Sequence, residues 1–302
     1  MLRTVYSYHF PETAAVVDAL WASRPRNWYE RAWEHDDRRD LAMLDRWRSW
    51  SGVPLDGFDH RYVTHGASEA IKDLTVNVPR VHVFAGDYEG YAAFAEARDI
   101  PIQVHRRDVT AALAPHGDDD VWWISDPSSI DGDHWPALPQ FLDALGRCWP
   151  RVRVFVDMIY IGCVRELSPI SPSRHPNVAA VVFSLSKPFG VYRHRIGGVY
   201  SRQPIRSLEG NRWFNNIFSV ELADALMARY AVTEIPRRYA VIQARIVDAL
   251  RGAGALPAEA VPCNVLLLAR SPTGDPAFAR VAGEHYRYCL TPELDAAVRG
   301  GR

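Results

Sequence analysis

From Arg61 onward the chain alternates short, almost continuously apolar runs with stretches of helical character, and no other feature restricts its fold as much. The runs RYVT (61–64), VHVFA (81–85), IQVHR (102–106), VWWIS (121–125), VRVFVD (152–157), VAAVVFS (178–184) and IGGVYS (196–201) have the length of strands. Several lack polar alternation, which is the pattern of strands covered on both faces. Helical candidates intervene at 68–78, 89–98 and 137–147. The expectation is an α/β fold with a mostly parallel, seven-stranded sheet and helices on both faces.

The flanks read differently. Glu12 to Ala22 and Arg38 to Trp50 have helical character, and RPRNWYERAWEHDD between them reads as a turn and an exposed, charged segment. Val220 to Leu250 reads as a long helix with Pro236 as its break or kink. In the tail, VPCNVLLLAR and HYRYCLTPELDAAVR read as a strand, a second strand and a final helix, enough for a small, reduced second domain. The expected division is an N-terminal arm with part of the small domain (1–58), a large domain including the long connecting helix (59–250) and a small C-terminal domain (251–302).

Charge and cysteine usage exclude several classes of function. With 35 Lys+Arg against 36 Asp+Glu, no global basic field exists to hold nucleic acid or an anionic membrane. Cys148, Cys163, Cys263 and Cys289 lie far apart, with neither a CxxC pair nor His at metal-ligand spacing, so neither a disulfide framework nor a metal site is expected. The N-terminus lacks the order of a secretory signal and no 18-residue apolar run follows, so a cytoplasmic protein is expected. Among the 35 basic residues only Lys72 and Lys187 are lysines. Imine chemistry therefore has two side-chain amines to draw on, because arginine does not lose its proton in a protein.

Four segments bring reactive or ligand-binding groups to strand ends. THGASEA (64–70) follows the first strand and opens a helix, where the amides of Ala67 and Ser68, with the Ser68 hydroxyl, can receive a phosphate; taken alone, an ordinary helix cap is the better explanation. SLSKPFGVYRHRIGG (184–198) offers Ser184, Ser186, Lys187 and Arg195 after a strand, with Gly190 permitting a turn. Its lysine can condense with an aldehyde while the serines and guanidinium clamp a phosphate; an isolated Ser-x-Ser-Lys would be a surface loop. VFVDMIY ends a strand on Asp157, with Tyr160 three residues on, and a buried carboxylate there needs a cationic or hydrogen-bonding partner unless it merely closes a turn. FAGDYEGY places Tyr88 where its ring can cover a ligand or pack in the core. Ligands collect outside the carboxyl ends of such strands, so the combination weighs more than any member.

On these motifs the chain resembles the fold-type I enzymes that use pyridoxal 5'-phosphate (PLP), especially class I/II aminotransferases, as a short and divergent member. The resemblance runs from about Tyr62 to Ser201 and loosens through the tail. It implies the fold-type I PLP-transferase architecture, with Lys187 holding PLP as a Schiff base and Ser184 and Arg195 binding its phosphate, beside the Ser186 already placed near a phosphate by the loop itself. It also implies that Asp157 pairs with the pyridine nitrogen, that Tyr160 donates to the phenolic oxygen and that Tyr88 stacks on the ring. The amides at Ala67 and Ser68 become the phosphate turn. Family members are homodimers in which each site is completed by the partner, and the resemblance nominates Tyr29 or an aromatic neighbour for the crossing role. Arg287 in HYRYCLTPE corresponds to the place where arginine holds a substrate carboxylate, and Asn264 to a residue lining the same entrance.

One departure bears on the reaction. Where aminotransferases show Asn-Pro-x-Asn-Pro-Thr-Gly, this chain has ISDPSSIDG (124–132), and Ser129 occupies the station of the asparagine that donates to the phenolic oxygen. A hydroxyl donates a single hydrogen bond, so Tyr160 or a bridging water would do more of the tuning. The expected activity is an aminotransferase moving an amino group between an amino acid and a 2-keto acid, with Lys187, Asp157 and Tyr160 as its catalytic set. The alternatives are another PLP reaction on the same scaffold, namely elimination, decarboxylation, racemisation or oxidation, and a non-catalytic domain of this fold.

Overall fold

A computed structural model of the protein describes residues 6–24, 37–212, 214–276, 280–282 and 284–300. β1 (His60–Thr64), β2 (Val81–Phe84), β3 (Ile102–His105), β4 (Val121–Ser125), β5 (Arg153–Asp157), β6 (Val178–Ser184) and β7 (Gly197–Ser201) form one sheet in the order β1-β7-β6-β5-β4-β2-β3. The pairings β3–β2, β2–β4, β4–β5 and β5–β6 are parallel, whereas β7 is antiparallel to both β6 and β1. The sheet is thus mostly parallel, as expected, and reverses at one side. The connection differs from the others: a parallel return usually runs through a helix, while the residues between β6 and β7 form a loop whose only regular piece is a 3-10 turn (Tyr192–His194). That loop carries Lys187.

The central strands are apolar throughout because both faces are covered: every residue of β2, β4 and β7 is buried, whereas β3 at the edge is half exposed. The helices are α1 (Pro11–Ser23), α2 (Arg38–Ser51), α3 (Ala67–Leu74), α4 (Glu89–Glu96), α5 (Leu138–Cys148), α6 (Arg206–Asn211), α7 (Ile217–Arg229), α8 (Glu234–Gly252) and α9 (Thr291–Gly300). α5 buries Leu138, Phe141, Leu142 and Leu145, the i, i+3, i+4, i+7 stripe of an amphipathic helix, and Phe141 packs 5.0 Å from Trp122 and 5.2 Å from Phe84. α2 brings Trp47 flat onto Phe183 at 4.1 Å and beside Tyr200 at 5.5 Å. Such large rings dominate the apolar area a domain removes from water.

Three elements differ from the expectation. α3 stops at Leu74 rather than 78, because Asn77 adopts a left-handed φ of 57° and Pro79 follows. The long helix of 220–250 is two helices, with the break at Tyr230–Thr233; Pro236 lies in the first turn of α8, where its missing N–H costs nothing. VPCNVLLLAR is two short strands, β8 (Val261–Pro262) and β9 (Leu268–Ser271), not one. The buried Gln243 amide of α8 donates to the carbonyls of Cys263, Val265 and Leu268 at 3.1, 3.1 and 2.9 Å, which satisfies a tight turn between them.

With β10 (Arg280–Ala282) and β11 (His285–Cys289), β8 and β9 form a second, antiparallel sheet in the order β10-β11-β9-β8, the core of a small second domain. It is tied to the large sheet through the loop after β4: Arg107 and Arg270 bond Asp131 and Asp133 of that loop, and the Val265 N–H donates to the Gly132 carbonyl at 2.9 Å. Among the described residues, no helix is long and apolar enough to cross a membrane and no side-chain cluster is arranged to hold a metal ion.

Candidate active site

A cavity of about 710 Å³ opens where the carboxyl ends of β2, β4, β5 and β6 meet the N-terminus of α3. It gathers Ala67 and Ser68 of α3, Tyr88 after β2 and Ser129 after β4. Asp157 enters from the end of β5 and Tyr160 from the turn after it, Ser184, Ser186, Lys187 and Arg195 from β6 and its loop, and Arg287 from β11. Residues remote in sequence are thus neighbours at one end of the sheet, where α/β folds bind ligands.

One corner gathers groups with the chemistry to receive an anion. Arg195 adopts a left-handed φ of 52°, and its Nη2 donates to the His65 carbonyl at 2.9 Å and reaches the Ser68 hydroxyl at 3.5 Å. Gly66 is at φ 76°, and a Cβ there would come within 2.8 Å of the same nitrogen, so only glycine lets the guanidinium lie across the turn. The first-turn amides of α3 have no intrahelical acceptor and add the positive end of the helix dipole. Ser184 Oγ donates to the Ile196 carbonyl at 3.2 Å and accepts from the Ser186 amide at 3.2 Å. The Ser186 hydroxyl itself is buried without a hydrogen-bond partner in the protein.

Asp157 lines the cavity and has no solvent exposure. Its Oδ1 accepts from the Ile159 amide at 3.1 Å and its Oδ2 from the Tyr91 hydroxyl at 2.8 Å. Burial nevertheless pushes its carboxyl up to about 7, with the two hydrogen bonds working in the opposite direction and Asp87 adding to the rise. Lys187 places Nζ 5.4 Å from the centre of the Tyr160 ring, and burial lowers its amine's affinity for a proton. Tyr160 is 2% exposed, and burial raises its phenol, a rise that Arg287 partly offsets. Gly190, at φ 70°, lets the lysine loop pass beneath the N-terminal segment: a Cβ there would lie 1.9 Å from the Tyr8 carbonyl oxygen.

Ser129 borders the cavity, but its hydroxyl donates to Asp87 Oδ1 at 2.6 Å. Its carbonyl accepts from Nη1 of Arg287. Arg287 is 3% exposed, and its Nε is buried without a partner. Asn264 is not brought to the cavity wall. Its side-chain oxygen accepts from the Arg165 and Glu166 amides at 2.9 and 3.0 Å, and its nitrogen donates to the Glu166 carbonyl at 2.8 Å, so the side chain is committed to holding that backbone. Tyr29 lies outside the described residues.

Tyr91 and Asp87, which bond Asp157 and Ser129, were not among the residues expected from the sequence. Neither were Tyr6, Ser7 and Tyr192, which line the cavity. The one local signal was the Tyr88-x-x-Tyr91 spacing at the start of α4, which packs the two rings edge to face at 5.3 Å.

A seven-stranded α/β sheet with a lysine loop after β6 and a carboxylate at the end of β5 defines the fold-type I architecture. Residues 80–246 match the family described as Aminotransferase class I and II, and the chain belongs to that family, within the fold-type I PLP aminotransferase superfamily. No curated protein matches the sequence. Among solved structures, the chain is similar to histidinol-phosphate aminotransferase from Clostridium acetobutylicum, with 12% identity, a TM-score of 0.72 and coverage of 98% of this chain and 97% of that one. It is also similar to histidinol-phosphate aminotransferase from Sinorhizobium meliloti in complex with pyridoxal-5'-phosphate (13%, TM-score 0.69, 99% and 90% covered). L-threonine-O-3-phosphate decarboxylase from Porphyromonas gingivalis is a third such structure (15%, TM-score 0.68, 100% and 99% covered). At these identities the likeness is one of fold.

Proposed function

We propose that the protein is a PLP-dependent aminotransferase that moves an amino group between an amino acid and a 2-keto acid. The observation that carries this reading is the meeting of Lys187, the buried Asp157 and an anion corner containing Ser68, Ser186 and Arg195 in one cavity. These residues fit the cofactor. The unpartnered Ser186 hydroxyl and the Arg195 guanidinium suit a phosphate, and a carboxylate whose burial disfavours its charge suits a pyridinium nitrogen. The Sinorhizobium meliloti relative, solved with pyridoxal-5'-phosphate, supports the same assignment.

Bound PLP supplies an aldehyde that captures amines and a conjugated ring that accepts the electrons released at the substrate's α-carbon. Lys187 would anchor the cofactor; its amine, more readily neutral through burial, is suited to act as a nucleophile and to take the α-proton. Asp157 would hold a proton at the ring nitrogen, Tyr160 would donate to the phenolic oxygen and Tyr88 would cover the ring. Arg287 would receive the substrate carboxylate through the guanidinium edge that includes Nε. A homodimer whose partner completes the site, with the crossing role at Tyr29 or a neighbour, belongs to the same proposal.

The test is a panel of amino donors added singly to PLP-loaded protein, followed by formation of pyridoxamine phosphate within one turnover. A donor-dependent yield is expected, and Lys187→Ala should abolish both the lysine-linked visible absorbance and turnover; a fully active K187A protein sinks the proposal. A second reading, elimination or decarboxylation on the same residues, is favoured by the Ser129 hydroxyl being held by Asp87. Ammonia or carbon dioxide released without pyridoxamine phosphate would select it.

A further inference from the structure

Asp87 touches no part of the cavity wall, yet it organises one side of it. It sits just beyond β2, is 5% exposed, and accepts from four donors: the hydroxyls of Ser125 and Ser129, both at 2.6 Å, and the amides of Tyr88 at 2.7 Å and Ser125 at 3.2 Å. The Ser125 hydroxyl in turn accepts from the Ser129 amide at 2.7 Å, so its hydrogen must point to Asp87. A carboxylate with four donors is an acceptor only, and a serine has one hydrogen to donate. The Ser129 hydrogen is therefore directed out of the cavity.

We infer that Asp87 is a positioning residue of the cofactor pocket: it withdraws the Ser129 hydroxyl from the phenolic oxygen, leaves that oxygen to Tyr160, and fixes a negative charge behind Asp157. The inference rests on the PLP reading and deepens it. It explains why Ser129 can stand where a two-donor asparagine is expected: the serine is part of a buried carboxylate's hydrogen-bond set and not of the cofactor's. Asp87 also raises the carboxyl of Asp157 electrostatically, which places the two carboxylates within reach of each other. The titratable and charged groups facing this side of the pocket are Tyr88, Glu89 and Tyr91 from α4 and its approach, Asp157 from β5 and Tyr160 from the turn after it, Lys187 and Arg195 from the β6–β7 loop, and Arg287 from β11.

The experiment is a pH titration of the visible absorbance of PLP-loaded protein, compared among wild type, Ser129→Ala, Asp87→Asn and the double variant. S129A should leave the midpoint where it is, because no donor to the cofactor is lost. D87N should lower it by about 1 pH unit, since a negative charge beside a cationic centre is removed and the Ser129 hydrogen is released toward the phenolic oxygen. In the double variant the part due to the released hydroxyl should vanish. A rise of about 1 pH unit in S129A would show that Ser129 donates to the cofactor after all and would overturn the inference, as would an unmoved midpoint in folded D87N. Should D87N fail to fold, S129A decides alone. The PLP reading itself fails differently: no visible band in wild type, or a band that survives Lys187→Ala.

Discussion

Tyr91 donates its phenolic hydrogen to Oδ2 of Asp157 at 2.8 Å, and neither side chain is exposed to solvent. The tyrosine ring is held by stacking on Trp123, with centroids 5.1 Å apart and planes 11° from parallel, so the donor cannot swing away. A hydrogen bond to the charged form of a carboxylate favours that form. Tyr91→Phe should therefore push the Asp157 carboxyl above its value of about 7 and weaken PLP binding at neutral pH by ~10-fold. The loss should shrink as the pH is raised and Asp157 ionises again. Equilibrium titration of PLP at several pH values checks this; equal weakening at every pH would assign Tyr91 a packing role only.

Asp157 also predicts an opposition between stability and cofactor binding. In protein stripped of PLP its carboxyl is raised from 3.8 to about 7, chiefly by burial, so the folded state binds a proton more tightly than the unfolded chain. The sign follows: stability is highest below about 3.8, declines as the pH rises to about 7 and is level beyond. Asp157→Asn removes that dependence. The cofactor-free variant should melt with wild type at pH 4 and above it at pH 8, and added PLP should reverse the order, since only wild type keeps the carboxylate. Melting curves with and without PLP provide the comparison.

Arg195 combines an unfavourable backbone with a useful side chain. A left-handed φ of 52° costs a non-glycine residue ~1 kcal/mol, and such residues concentrate where function demands them. Arg195→Gly should relieve that cost while losing the bond to the His65 carbonyl, leaving the melting temperature of the cofactor-free protein nearly unchanged. PLP affinity should fall ~10- to 100-fold, the value of one or two charge-assisted phosphate contacts. A large drop in melting temperature with unchanged affinity would reverse the assignment.

Lys187 and Asp157 were legible in the sequence because the first follows and the second ends an unmistakable strand, VAAVVFS and VFVD, where chain position and side-chain chemistry give the same answer. Asp87 and Tyr91 were not, because their side-chain partners lie 38 to 66 positions away and nothing local marks a tyrosine as the donor to a distant carboxylate. Asn264 misled for the same reason: its type and neighbourhood suit a pocket, yet its amide serves backbone groups 98 positions earlier. The reversal of β7 goes with a connection that carries no crossover helix, a feature the chemistry of the 184–198 segment does not reveal. The break before α8 lay outside the reach of proline as a marker, because a first-turn proline continues a helix.

A buried chain of imidazoles should make the protein acid-sensitive. His82 is fully buried between Asp120 and His105, with Nε2 3.0 Å from Asp120 Oδ2 and Nδ1 2.9 Å from His105 Nε2. Neutral His82 satisfies both contacts by donating to Asp120 and accepting from His105; a protonated ring would set two N–H groups against each other. His116 is fixed likewise, bonded to the Ala114 carbonyl through Nδ1 at 2.6 Å and accepting from the Trp122 indole at Nε2, 2.9 Å away. Burial lowers His82 from 6.5 to about 4, and lowers His105 and His116 as well. Here the unfolded chain binds the proton more tightly, so stability is full above about 6.5 and is lost as the pH falls toward about 4. His82→Gln should cost about 1–3 kcal/mol at pH 8 through its unmatched partners, yet flatten the acid slope. This slope is opposite in sign to that of Asp157 over the same range. In the cofactor-free protein the two partly cancel. PLP binding, by keeping Asp157 ionised, removes one side of that balance, so the loaded protein should lose stability more steeply on acidification than the stripped one. Parallel melting curves of both forms between pH 4 and 8 measure the difference, and equal slopes would separate the histidine cluster from any competition with the site.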